Sequence, residues 1–216
     1  MSLRILDELD GAATRIGTPS GAGEMVWRVW NASAGDPVVL LHGGNGSWRH
    51  WVRQIARFAP SRCVIAPDLP GFGDSALPDE PHDPPNVARV TAAGLRQVLG
   101  GRRADLVAFS YGANVSGHVA AALGPLLRSP MLAGAGSLGV PRNPVPTQKI
   151  RDKLGAARIA AHRANLASMM IADPARIDAL AVEIQERNTV LGRFRSRSFA
   201  NSTQLSEALA KTAMSI

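Results

Sequence analysis

The run Leu106-Val107-Ala108-Phe109-Ser110-Tyr111-Gly112-Ala113 puts a serine at the end of an apolar stretch, with small residues two before it and two and three after it. A nucleophilic serine held on a sharp strand-to-helix turn needs this spacing. The backbone at the serine is strained, and large side chains at the flanking positions would collide. Gly112 and Ala113 meet that need, while Ala108, where glycine is more usual, is a sterically mild departure. A helix opening just after the serine also turns its first N–H groups towards the hydroxyl and favours negative charge there. Taken alone, the same residues equally fit a serine that merely caps a helix.

Leu41-His42-Gly43-Gly44-Asn45-Gly46-Ser47-Trp48 directly follows the apolar run Val38–Leu41. Glycines there let main-chain N–H groups approach a substrate carbonyl, which a Cβ would block. The expected oxyanion donors are the N–H groups of Gly44 and Tyr111, with Gly43 taking the role if the register slips by one. The loop lacks the Gly-Lys-Ser/Thr of a phosphate-binding P-loop. His42 reads as a residue that structures the loop rather than as a base. Pro67-Asp68-Leu69-Pro70-Gly71-Phe72-Gly73-Asp74-Ser75 reads as a structural turn whose aspartates organise a loop rather than serve as the catalytic acid.

The elements that must position these residues alternate along the first 150 positions. Strands are expected at Val26–Trp30, Val38–Leu41, Val64–Pro67, Asp105–Phe109 and Met131–Gly134. Helices are expected at Trp51–Phe58, Val87–Leu99 and from Ala113 onward. This alternation predicts right-handed crossovers and an α/β fold with a mostly parallel sheet. Beyond about residue 145 the pattern turns purely helical. Asp173-Pro174 is a good helix start, with Ile177, Leu180, Ala181 and Ile184 then on one face. The expected organisation is a core over residues 1–144 and a helical cap over 145–216.

Composition narrows the function classes. The chain has 216 residues, 45% of them hydrophobic, and a net charge of +7 carried almost wholly by arginine. The arginines are scattered, with no aromatic-interleaved stripe, so no nucleic-acid partner is expected. The densest group, Arg193, Arg195 and Arg197, reads as a solvated helix end, with an anionic partner as the alternative. No apolar run is long enough for a membrane span, and no signal peptide is visible. The lone Cys63 reads as a small core residue and fits a reducing cytoplasm. No metal or cofactor is expected; the expected partner is a small-molecule substrate.

Together, HGGNGSW, DLPGFGDS and AFSYGA resemble the α/β-hydrolase superfamily over about residues 25–140, and the helical block resembles the cap of its lidded members. The resemblance implies a three-layer fold and acyl transfer to water on an ester, or on a C–C bond beside a ketone, with Ser110 as nucleophile. The chain is most similar to esterases and meta-cleavage-product (C–C) hydrolases. Serine rather than aspartate at 110 argues against the epoxide hydrolase and haloalkane dehalogenase branches. Phe109 stands where the C–C hydrolases usually have Asn. Their use of a lid arginine for a substrate carboxylate makes Arg187 a candidate, against the alternative of an exposed helix arginine.

In that family the acid and then the histidine follow the serine, after the seventh and eighth strands. The histidines here are 42, 50, 82, 118 and 162, none past the cap. His118 would lie about 12 Å along its helix from Ser110. The expectation is therefore a truncated chain, inactive or weak by itself and prone to self-association through an uncovered strand. The alternative is a catalytically silent member that binds a small molecule.

Overall fold

A computed structural model describes residues 2–141, 143, 145–194 and 199–212. Strands β1 (Thr14–Ser20), β2 (Gly23–Trp30), β3 (Val38–Leu41), β4 (Val64–Pro67), β5 (Ala104–Phe109) and β6 (Leu127–Ala133) form one sheet in the order β1-β2-β4-β3-β5-β6. β1, β2 and β4 pair antiparallel, whereas β4, β3, β5 and β6 run parallel. The helices are α1 (Arg4–Ala12), α2 (Val52–Phe58), α3 (Pro84–Leu99), α4 (Tyr111–Leu123), α5 (Gly155–Met169), α6 (Ala179–Leu191) and α7 (Gln204–Ala210).

Strand alternation divides the core between the two faces of the sheet. Met25, Trp27, Val29, Val39, Leu41 and Ile65 join the cluster built with α3 and α4. Trp30, Val38, Leu40, Val64 and Ala66 turn to the other face, against Trp48 and Ile55. β3 and β4 are buried along their whole length, which is why they read as continuous apolar runs. Among the described residues no helix is long and apolar enough to cross a membrane.

Several boundaries differ from the sequence expectation. α3 begins at Pro84, three residues early, because Asp83 accepts the Asn86 N–H at 2.9 Å and prolines suit the first turn. Asp173 caps only a single 3₁₀ turn at Pro174–Arg176. Asp178 caps α6 instead, accepting the Ala181 N–H at 2.9 Å. α1 and β1 were not anticipated. The last helix, α7, packs on α4, where a Cβ on Gly117 would sit 2.6 Å from Leu205 Cδ1. α5 and α6, within the block expected to form a cap, pack on each other. Leu180 of α6 clusters with Leu6 of α1 and Val52 of α2.

Candidate active site

Ser110 joins β5 to α4 with φ 53° and ψ −113°. A non-glycine residue at positive φ costs on the order of 1–3 kcal/mol and persists only where its surroundings enforce it. Here the Ser110 N–H donates to Ala133 O of β6 at 2.8 Å, and its carbonyl accepts from the Ala113 and Asn114 N–H groups at 3.0 and 3.2 Å. α4 leaves the turn so close to β3 that a Cβ on Gly112 would lie 2.5 Å from His42 O and 2.6 Å from Leu41 O. The glycine is required by backbone approach, not by the serine alone.

The glycine loop lies against this turn. A Cβ on Gly43 would meet the Phe109 ring at 2.8 Å and Ser110 Cβ at 3.2 Å. The N–H groups of Gly43, Gly44 and Tyr111 donate to no acceptor among the described residues. Ser110, Gly43, Phe109 and Tyr111 are thus brought together, with Gly44 next along the loop. Ser110 is half-buried, and Tyr111 packs its ring against Phe72 and Phe194. Burial pushes the Tyr111 hydroxyl far above its usual range, and that hydroxyl has no partner among the described residues.

His42 holds the loop to its neighbour: Nδ1 faces Gly43 O at 2.7 Å and Nε2 accepts the Leu69 N–H at 2.8 Å. Burial pushes its pKa down to about 4, so it stays neutral at pH 7. Asp68 fixes the other end of the loop, accepting the Trp48 N–H at 2.9 Å and the Asp74 N–H at 3.0 Å. A Cβ on Gly73 would sit 2.4 Å from that carboxylate. Arg28, only 1% exposed, reaches Asp68 at 3.1 Å, Asp74 at 2.6 Å and Asp10 at 2.5 Å. Sequence reasoning missed this network, because its carboxylates come from α1 and from two points of the DLPGFGDS turn. Burial alone would raise the Asp74 carboxyl, but the Arg28 guanidinium holds it below the usual carboxylate range.

None of the histidines bonds to Ser110 among the described residues. His82 bonds Pro78 O at 3.1 Å and faces Glu80 at 3.2 Å. His162, buried in the cap, holds Glu186 at 2.6 Å. His118 Nε2 is buried without a partner on α4. His50 packs its ring edge-on against Phe109 at 6.0 Å. Burial pushes its pKa down to about 3, and neither ring nitrogen has a partner. The structure does not bring Arg187 into this group. Its guanidinium is engaged by Glu183 at 2.7 Å and by Asp7 of α1 at 3.6 Å. Of the Arg193 cluster, Arg195 and Arg197 lie outside the described residues, and Arg193 donates to Gly73 O at 3.3 Å and to Ser75 O. No group of metal-ligating side chains occurs among the described residues.

The model of the alpha/beta hydrolase family matches residues 38–212. The 2-hydroxymuconate semialdehyde hydrolase of Pseudomonas sp. (strain CF600) is 32% identical over 114 residues, 51% of this chain and 40% of that protein. The soluble epoxide hydrolase of Corynebacterium sp. (strain C12) is 36% identical over 92 residues, 41% of this chain and 31% of its own length. The matched stretch thus spans two fifths or less of these relatives. Among solved structures, esterase RhEst1 from Rhodococcus sp. ECU1013 superposes with a TM-score of 0.66 at 23% identity, covering 88% of this chain and 73% of the esterase. At that identity the likeness shows the fold.

Proposed function

The chain belongs to the alpha/beta hydrolase family, and from that premise we propose that Ser110 is the nucleophile of a serine hydrolase acting on an ester or on a C–C bond beside a ketone. The observation that carries this reading is Ser110 itself, held at φ 53° beside three amides with no acceptor. Its Oγ would attack the substrate carbonyl, and the N–H groups of Gly44 and Tyr111 would hold the resulting oxyanion. The serine proton would pass to a base and on to the leaving group, and water would then release the acyl group.

The carbonyl reading draws on relatives named for 2-hydroxymuconate semialdehyde and 2-hydroxy-6-oxo-2,4-heptadienoate, both unsaturated and carrying oxo groups. A serine at 110 supports it over epoxide opening, in which a carboxylate is the nucleophile. A cytoplasmic setting belongs to the proposal and is supported by the free, buried Cys63. A second reading, a silent small-molecule binder, is favoured by one observation: the five histidines all have positions or partners other than Ser110. The base that Ser110 needs is therefore proposed to be none of these five.

Fluorophosphonate labelling with peptide mapping tests both readings. The full product of the gene is expected to label on Ser110 and to lose the label on Ser110→Ala. The 216 residues alone are expected to hydrolyse p-nitrophenyl esters barely above background. Loss of the base in a serine protease costs roughly 10⁶ in turnover and leaves ~10³–10⁴ over water. Brisk, Ser110-dependent turnover by these residues would show that one of the five histidines is the base. Absence of labelling in the full gene product would favour the silent binder.

A further inference from the structure

A cavity of about 610 Å³ lies between the α5–α6 cap and the stretch that runs from Arg49 into α2. Its size falls within the range of small-molecule sites. Val52, Leu166, Met170, Ile171, Leu180 and Ile184 supply its apolar wall. Ser110, Gly44 and Tyr111 do not line it, so it is a chamber apart from the nucleophile. His50, which does line it, meets Phe109 on the Ser110 side.

The charges around the chamber are unequally satisfied. Arg53 is paired with Asp178 at 2.8 Å and Arg176 with Asp173 at 3.5 Å, and all four of these side chains are well exposed. Arg49 is only 8% exposed and has no ion pair among the described residues. Its Nε has no hydrogen-bond partner, and its guanidinium makes one long bond, 3.4 Å to Ser47 Oγ. The carboxylates whose fields reach it, Asp68, Asp74 and Asp10, are all paired with Arg28. Its one close compensation is the Trp48 ring, 5.2 Å below the guanidinium. A buried guanidinium without an ion pair of its own is costly, and an apolar chamber ending on one is complementary to an anion with an apolar body.

We propose that this chamber binds a small amphiphilic monocarboxylate, with its carboxylate on Arg49 and its hydrocarbon body between Leu180, Ile184, Leu166 and Met170. The proposal does not rest on the Ser110 chemistry. Such carboxylates are nevertheless the class of product that acyl transfer to water releases, so the occupied chamber would sense product.

Octanoate and its neutral counterpart 1-octanol are the probes, and the fluorescence of Trp48, stacked under Arg49, is the readout. Octanoate is expected to bind saturably and at least about tenfold more tightly than 1-octanol, a charge-assisted bond being worth that much or more. Arg49→Met should abolish the difference, Arg49→Lys should retain most of it, and Ser110→Ala should leave it unchanged. Ile184→Phe, which fills the chamber without adding a tryptophan, should weaken both probes. Should Arg49→Met fail to fold, the contrast between octanoate and octanol in the unaltered protein still decides. Equal affinity for the two probes, no saturable octanoate binding, or undiminished binding by folded Arg49→Met would overturn the proposal. Loss of binding in Ser110→Ala would move the ligand to the serine pocket and overturn it equally.

Discussion

Gly112 shows why part of this site can be read from single residues. The α4 backbone passes the end of β3 within the radius of one methyl group, and the atoms in the way, His42 O and Leu41 O, are backbone atoms that no rotamer change can move. Gly112→Ala should therefore cost about 1–3 kcal/mol, at the upper end of that range, as overpacking against main chain does. Gly11 makes the contrast. Within α1 it has nothing within 4 Å of an added Cβ, so Gly11→Ala should stabilise by up to roughly 1 kcal/mol. Urea denaturation of both variants checks the pair, and a Gly112→Ala protein as stable as the parent would mean that β3 and α4 can part freely. Steric demands of this kind are local and leave a local signature, so Ser110 and the glycines around it were legible in the sequence. The environments of Arg28 and Arg49 were not. An arginine in a strand, or one in Trp48-Arg49-His50-Trp51, reads as solvated until distant carboxylates and cap helices are placed around it.

At the scale of elements, the glycine loop after β3 is held by charge as well as by glycine. Asp68 ties the Trp48 N–H, the Asp74 N–H and buried Arg28 together. Asp68→Asn would remove one of the three carboxylates around buried Arg28 and leave Asp10 and Asp74, so a loss below the about 3–5 kcal/mol of a fully orphaned buried charge is expected in chemical denaturation. In the cap, Glu186 of α6 clamps Arg158 and His162 of α5. The Arg158 hydrogen bond holds the Glu186 carboxyl below its usual range. A depressed carboxyl contributes stability above the unfolded pKa, and that contribution is lost as pH falls through the folded pKa. Glu186→Gln should thus be less stable than the parent at pH 7 by no more than about 1 kcal/mol, given how exposed the pair is. The difference should vanish well below pH 4; one that persisted there would assign the effect to packing. β3 and β4 were legible to the residue because they are buried on both faces and bounded by turns. α1 and β1 were missed: β1 carries Gly17 and Pro19 and pairs on one side only, so its sequence has little strand character. The start of α6 was misplaced because Asp173-Pro174 and Asp178 are both sound caps, and only packing on α1 and α2 selects the second.

For the whole molecule, the sheet ends on an open side. β6 pairs with β5 through Leu127–Ala133, and within the described chain no strand lies beyond it. Its residues alternate between half-buried and exposed, with Met131 63% exposed. An unpaired parallel strand offers a row of free N–H and C=O groups to any other strand, and an apolar side chain at its centre adds to the attraction. β6 also holds the serine turn, since Ala133 O accepts the Ser110 N–H, so whatever pairs with this edge bears on that turn. The 216 residues by themselves are therefore expected to self-associate through β6, with a mass that rises with concentration in light scattering. Met131→Lys, which places a charge at the centre of the edge, should shift the population towards monomer without changing the fold seen by circular dichroism. A clean monomer with a single cooperative melt in the unaltered chain would contradict this, as would association indifferent to Met131→Lys. If association disappears with Met131→Lys while the Ser110 turn loses protection from hydrogen exchange in the monomer, β6 pairing is a condition for holding Ser110 in its strained conformation.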